Sequence, residues 1–497
     1  MHSNGIMVLA RTGRILLCLG VVFQLAVAVF FYINLYPDIQ RLMPDDAFYY
    51  LTIARNIVQG HGSVFSPGEP TNGYHPLWMG LLIIVQMVFQ PGVESFILLV
   101  LLISVLLNGF TALLLKHFLS RIGFSEHQQT FGMALYLFMP WLVLLNLSGL
   151  ETPLFFMCLI FFFIMVQKIV SLKSNRLLDY ALLGVAAGLL FLARTDSVFF
   201  IIMGAGYILW SRKSLQALKN MFLTGLVTVL VSFPWLWWCW SRFGSFVQSS
   251  GLALSYFRWQ TMYPVDTLRY WIYNAGRFFH KLAIIFMVPF VHRAKNFDEI
   301  IPIWCDVLML LVVAGVIVYA VRNRRRMILP AYIWLPSVVL LAFYTFVRIA
   351  SAVWHMSVFP FILLLVILNI FRDIRWRLWS VTVALLVSLL ANFYTLGNGF
   401  YYPQQATDLM GSAMAMGSDS PDSLVIGATD AGYLGYFISD RHVVINLDGV
   451  VNQRAFNHIK EGTFGEYLEE LNLDSLRISR ERLEFFCRNG RMYEHNE

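Results

Sequence analysis

The chain has 497 residues, of which 58% are hydrophobic, 16% aromatic and only 13% charged. This is more apolar than the cores of soluble domains can hide, which excludes a soluble globular fold and indicates a polytopic membrane protein. A formal charge of +7 would suit nucleic acid, but the Lys and Arg fall in short clusters between apolar runs, the pattern of cytoplasmic loop anchors, so no nucleic-acid partner is expected.

Arg11 and Arg14 precede an apolar run that continues to Tyr36. The "AVA" at 26–28 has the form of a cleavage signal, yet the run continues past it to a bilayer-spanning length and is read as an uncleaved first helix with its N-terminus inside. Eleven spans are expected, near 14–36, 96–119, 129–147, 152–170, 178–193, 196–211, 217–240, 302–321, 328–347, 354–371 and 377–397. The run 76–90, about 15 residues, is short for a hydrocarbon core that needs roughly 17–25. Placing it on the outer face puts "KHFLSR", "KIVSLKSNR", "SRKSLQALK", "VRNRRR" and "RDIRWR" all inside, as the positive-inside rule requires. The five cysteines show neither a disulfide framework nor metal-ligand spacing.

The first outer segment, 37–95, contains "MPDDAFYYLTIARNIVQGHGSVFSPGEPTNGYHPLW". Pro44 and Asp45 signal a helix start, and Ala47, Tyr50, Leu51, Ala54, Ile57 and Val58 recur at helical spacing opposite Thr52, Arg55, Asn56 and Gln59. That is an amphipathic helix expected to lie in the interface, with Asp45 as N-cap and Asp46 in its first turn. Two adjacent Asp exceed what one cap needs. A carboxylate held at the outer interface suits general-base removal of a proton from a hydroxyl, most readily where the leaving group is already good, as a lipid phosphate is.

Further along, Glu151 and Asp196 are carboxylates on the same outer face, each at a helix end where simple capping is the alternative. Arg194, Arg348, His75 and His355 are the cationic or titratable groups that would neutralise a phosphate, with anchoring at the interface as the alternative for the arginines. The segment 241–301 mixes aromatics with Arg242, Arg258, Arg269 and Arg277 and is read as a large outer loop. After residue 398 hydrophobicity falls, and "SLVIGATD", "AGYLGYFI" and "RHVVINLDG" read as strand, helix and strand of a small outer α/β domain, 398–497. Asp430, Gly432, Gly435 and Asp448 stand out there, with cap and packing roles favoured over ligand contact.

With "PDDAFYYLTIARNIVQGHGSVFSPGEPTNGYHPLW", "SGLETPLF", "LARTD" and "VIGATDAGYLGYFISDRHVVINLDGVVN", the sequence resembles the GT-C superfamily of polyprenyl-phosphate-sugar-dependent glycosyltransferases, near the mycobacterial arabinofuranosyltransferases, lipid A aminoarabinose transferases and protein O-mannosyltransferases. The resemblance implies a GT-C-like helix bundle over 1–397, all-α and polytopic with about eleven transmembrane helices, and a C-terminal extracytoplasmic α/β domain. It implies an inverting hexosyl- or pentosyltransferase of the cytoplasmic membrane, with its active site and C-terminus outside. The sugar would pass singly from a polyprenyl-phosphate donor in the bilayer to an extracytoplasmic glycan, lipid or protein. By the same resemblance Asp45 is the catalytic base with Asp46 as partner or substitute, and Glu151 positions the acceptor. Arg194 and Arg348 match cations near the lipid phosphate, His75 falls where aminoarabinose transferases have Lys, His355 joins the phosphate site, and Tyr74 and Asp196 position substrate. His is mostly neutral near pH 7, which sets His75 apart from that family pattern. No dedicated metal spacing is seen, so no cofactor is expected. The competing reading is a transporter or flippase of lipid-linked sugars. It would bury charges at midspan and show paired broken helices, and neither pattern is present.

Overall fold

The computed structural model describes residues 2–261, 276, 280, 283, 303–323, 328–346, 353–370, 378–398 and 423–488. Arg348 and most of the expected outer loop 241–301 lie outside these residues.

The described chain is mostly helical. It runs through α1 (His2–Ile33), α2 (Leu35–Leu42), α3 (Asp45–Val58), α4 (Pro76–Phe89), α5 (Val93–Arg121), α6 (Glu126–Phe138), α7 (Pro140–Asn146), α8 (Thr152–Ser171), α9 (Leu177–Ala193), α10 (Val198–Arg212), α11 (Leu215–Phe243) and α12 (Ser249–Thr261). It continues with α13 (Ile303–Arg322), α14 (Ala331–Phe346), α15 (Val358–Ile370) and α16 (Leu378–Asn398). Among the described residues four helices are long and apolar enough to cross a membrane: the Arg11–Ile33 part of α1, α5, α8 and α11. The pair α6 and α7, bent by 58°, makes a fifth if counted as one span. Of the remaining expected spans, 302–321 and 377–397 coincide with α13 and α16, of 20 and 21 residues, and the others fall on helices of 13 to 17 residues.

The bend has a covalent cause. Pro140 has no N–H to donate and its ring disfavours helical geometry in the residue before it, so Met139 is extended, with ψ 121°. The stretch expected as one span over 129–147 is therefore two helices. A buried polar chain ties this break to its neighbours: Asn146 Nδ2 donates to Tyr136 Oη (3.2 Å), Tyr136 Oη to Asn108 Oδ1 (3.2 Å), Asn108 Nδ2 to Gln24 Oε1 (2.9 Å), and Gln24 Nε2 to the Leu137 carbonyl (2.9 Å). Such bonds fix helix register where apolar surface alone is non-directional.

The C-terminal unit comprises β1 (Val425–Ala428), α17 (Gly432–Ile438), β2 (Val443–Asn446), α18 (Gln453–Glu461), α19 (Phe464–Glu470), β3 (Ser475–Arg477) and α20 (Arg480–Cys487). Its three strands are parallel in the order β2-β1-β3, and Val425 pairs with Val443. The unit does not stand apart from the bundle. Phe48 of α3 packs edge-on against Tyr433 at 5.0 Å, and Phe48, Tyr433 and Tyr436 belong to the same apolar core as the membrane helices. A smaller core of Leu447, Ile459, Phe464 and Phe486 is closed by Tyr256 and Phe257 of α12.

Candidate functional site

α3 is the organising element. It was expected to float at an interface with one face wet; instead it is buried from Ala47 through Arg55, held between α4 and α17. Thr52 and Arg55 of its expected polar face are buried, Gln59 stays exposed, and Arg55 donates to Ser439 Oγ (2.7 Å) and Asp440 Oδ1 (3.0 Å) of the α/β unit.

The two adjacent aspartates point to different tasks. Asp45 accepts from the Gly432 N–H at Oδ2 (3.0 Å) and the Tyr433 N–H at Oδ1 (2.7 Å), the first turn of α17. The carboxylate so satisfies two of the orphan donors that every helix start presents. Tyr49, one turn on, accepts at its Oη from the Ala431 N–H (2.8 Å) and Asn446 Nδ2 (2.9 Å). Asp45 is thus a cap after all, though for a helix some four hundred residues away rather than for its own. Its placement argues against the role of free base expected for it. Burial first, then the neighbouring Asp430 charge, pushes its pKa up to about 7 against the helix-start hydrogen bonds.

Asp46 faces the other way. It lines a cavity of about 70 Å³ together with Tyr49, Tyr50, Tyr74, His75, Glu151, Gln248 and His355. Among the described residues no donor is hydrogen-bonded to its carboxylate. Burial, and next the charge of Asp45, push its pKa well above the usual carboxylate range; Asp448, Asp430 and Glu151 act in the same sense.

Glu151, only 2% exposed, is placed by the turn before α8. Gly149 makes that turn possible at φ +74°, and the Trp78 indole N–H on α4 donates to the Gly149 carbonyl at 3.0 Å. His75 Nε2 lies 3.7 Å from Glu151 Oε1. Gln248 Nε2 donates to the Tyr74 carbonyl (2.8 Å) and sits 3.3 Å from His75 Nδ1. An amide donor at Nδ1 assigns the imidazole proton to Nε2, the nitrogen nearer Glu151. Burial lowers the His75 pKa despite Glu151, which favours the neutral ring already expected at this position.

Arg194 departs further from expectation. It is 1% exposed and all five of its N–H groups are engaged. Nε and Nη2 form a fork to Asp196 (3.1 and 2.5 Å), Nη1 donates to the Trp354 carbonyl and Ser357 Oγ (both 3.2 Å), and Nη2 also to the His355 carbonyl (3.1 Å). The guanidinium also lies 4.9 Å above the Phe155 ring. Nothing is left to grip a phosphate, and neither Arg194 nor Asp196 lines the cavity. Burial alone would lower the Arg194 pKa, but the Asp196 carboxylate outweighs it and holds the charge. Asp196, whose pKa is lowered because Arg194 overcomes burial, also accepts from Tyr344 Oη at 2.7 Å, so it is a partner in a brace and not a substrate contact. The brace fixes the short turn Val353–Met356, and with it His355 at the cavity.

Of the residues expected at the site, the structure brings Asp46, Tyr74, His75, Glu151 and His355 to one cavity and leaves Asp45, Arg194 and Asp196 out of its lining. Sequence reading did not place Tyr49, Tyr50 or Gln248 at the site: the tyrosines lie in the quoted stretch, where Tyr50 was read as part of the apolar repeat, and Gln248 carries no motif. No group of three metal-ligating side chains occurs among the described residues.

No protein-family pattern matches the chain, and no curated protein matches it. Among solved structures it is similar to the archaeal oligosaccharyltransferase AglB from Archaeoglobus fulgidus in complex with an inhibitory peptide and a dolichol-phosphate, at 13% identity and TM-score 0.49, over 91% of this chain and 68% of that one. A second structure of the Archaeoglobus fulgidus oligosaccharyltransferase, in complex with Zn and sulfate, gives 14% identity and TM-score 0.49 over 90% and 67%. ArnT from Cupriavidus metallidurans in the apo state gives 14% identity and TM-score 0.40 over 91% and 88%.

Proposed function

We propose that the chain is an integral-membrane glycosyltransferase that moves one sugar from a polyprenyl-phosphate donor to an extracytoplasmic acceptor hydroxyl, with Asp46 as general base. The observation that carries this reading is the pair of aspartates with divided roles. Asp45 is hydrogen-bonded into α17, while Asp46 enters the cavity with no hydrogen-bond partner among the described residues.

The chemistry needs little else at the attacking side. The acceptor oxygen attacks the anomeric carbon as Asp46 takes its proton; the bond from that carbon to the phosphate oxygen breaks, its electron pair leaves with the polyprenyl phosphate, and the anomeric configuration inverts. A phosphate is a good leaving group, so no acid is required to protonate it. Base catalysis of this kind contributes about 10²–10⁴-fold. A carboxylate whose pKa lies above the usual range is a stronger base once ionised, which suits removal of a hydroxyl proton. Glu151 and the neutral His75 N–H offer an acceptor and a donor on the cavity wall to orient sugar or acceptor hydroxyls. With Arg194 engaged by Asp196, the phosphate-binding role among the sequence candidates passes to Arg348, with His355 at the cavity rim.

The test is sugar transfer from radiolabelled polyprenyl-phosphate sugars by purified chain in lipid nanodiscs, with the anomeric configuration of the product determined. Transfer with inversion supports the proposal. Transport of the intact lipid-linked sugar across the bilayer without transfer would replace it with the flippase reading.

A further inference from the structure

Gln248 stands just before α12, is 8% exposed, and meets two neighbours through one atom. Its Nε2 donates to the Tyr74 carbonyl at 2.8 Å and lies 3.3 Å from His75 Nδ1. A carbonyl can only accept, so the contact with Tyr74 fixes which end of the amide is nitrogen. An amide nitrogen can only donate, so Nδ1 of a neutral His75 offers its lone pair to Gln248 and the proton sits on Nε2.

The other contacts of His75 leave that proton to the cavity. Its backbone N–H donates to Tyr50 Oη at 2.9 Å, which anchors the stem of the side chain. Nε2 lies 3.7 Å from Glu151 Oε1, beyond hydrogen-bond length, and has no hydrogen-bond partner among the described residues. It is not one of the atoms sealed inside the protein, and the cavity is what it opens onto. The start of α12 is fastened to the same stretch of chain: the Ser249 N–H donates to Asn72 Oδ1 (2.8 Å), and the Ser249 hydroxyl lies 3.3 Å from Thr71 Oγ1. Farther along α12, Tyr256 and Phe257 pack edge-on against Phe456 of the α/β unit at 5.6 and 6.2 Å. The helix is held at its start and along its length, and the amide with it.

We infer that Gln248 is a positioning residue for the transfer proposed above, on which this inference rests: it keeps His75 in the Nε2–H form, a donor to a substrate oxygen and not a second base. An imidazole with a free lone pair in the cavity would compete with Asp46 for the acceptor proton. With that lone pair turned to Gln248, His75 gives a hydrogen bond and cannot take the proton. The base function is left to the carboxylate.

The experiment uses the full chain with nitrogen-labelled histidine in lipid nanodiscs. The His75 resonances are those missing from His75→Gln, and their shifts tell a protonated ring nitrogen from a bare one. The parent should show Nε2 protonated and Nδ1 bare at a pH where the ring is neutral. Gln248→Met, which has no donor, and Gln248→Glu, which brings an acceptor, should each move the proton towards Nδ1. Sugar transfer is measured beside the spectra. Gln248→Met should lower kcat about tenfold, the size of one lost hydrogen bond, and change it by less than about twofold in the His75→Gln background, where no tautomer remains to be set. A parent ring with its proton on Nδ1, or a ring unchanged in both Gln248 variants, overturns the inference. So does an equal fall in kcat in the two backgrounds, which would make Gln248 a structural support only. Absence of transfer by the parent, with the tautomers as described, would instead overturn the glycosyltransferase reading, and with it the purpose assigned to a tautomer lock that itself stands.

Discussion

At the scale of single residues, burial decides what each charged group can do. Asp46 must be ionised to act as base, and burial beside Asp45 raises its pKa well above the usual range. The acidic limb of the rate profile for transfer should therefore lie clearly above pH 4–5, and a limb at the ordinary carboxylate position would contradict the assignment. Stability should run the other way. Asp45, at about 7 in the folded chain and near 4 unfolded, holds its proton more tightly when folded, so its contribution is complete below about pH 4 and is lost as pH rises towards 7. Unfolding midpoints across that window measure this. For Arg194→Ala the expected outcome is a loss of roughly 3–5 kcal/mol of stability, because Asp196 is left buried without its partner. A variant as stable as the parent but weak in binding polyprenyl phosphate would restore the phosphate role that the sequence proposed. The residue types were legible in the sequence, but their partners were not. Asp196 is two residues from Arg194, whereas the carbonyls that complete the brace come from 354 and 355.

At the scale of elements, α3 was legible from its helix-start signal and apolar repeat, but its burial was not. A period of 3.6 shows which residues share a face, not what covers the polar one, and the cover comes from a segment nearly four hundred residues later. The closeness of that docking rests on Gly432: a Cβ there would sit 2.3 Å from the Asp45 carbonyl oxygen, a backbone atom that cannot swing away. Gly432→Ala should cost roughly 1–3 kcal/mol or more by overpacking and lower transfer through displacement of α3, while Gly465→Ala, where a Cβ meets nothing, should be silent in both. Equal unfolding midpoints for the two variants would show that the contact between α3 and α17 is looser than described. The bend at Pro140 was readable in principle, since the proline stands in plain view within an apolar run.

At the scale of the whole molecule, the first outer segment, the turns before α8 and α15 and the loop after β2 converge on one cavity. The basic clusters between these pieces assign all of them to one face of the membrane, an assignment that labelling decides. Reporter fusions should place 116–125 in the cytoplasm and 90–95 outside, and 90–95 inside would overturn the arrangement. The strand, helix and strand of the tail were legible in its alternation and glycines, and they form two neighbouring parallel strands with α17 between them. Their merger with the membrane-helix core was not legible, because aromatic positions such as Phe48 and Tyr433 do not announce their partners.

The most direct test compares two isosteric changes in one assay. Asp46→Asn and Asp45→Asn are each measured for single-turnover sugar transfer from saturating radiolabelled polyprenyl-phosphate donor, with unfolding midpoints alongside. Asp46→Asn should fold as the parent does and transfer about 10²–10⁴-fold more slowly. Asp45→Asn keeps one carbonyl acceptor for the start of α17, so it should lose stability and retain most of its chemistry in the molecules that remain folded. The reverse pattern, with full transfer by Asp46→Asn and lost transfer by a stably folded Asp45→Asn, would contradict the division of labour between the two aspartates.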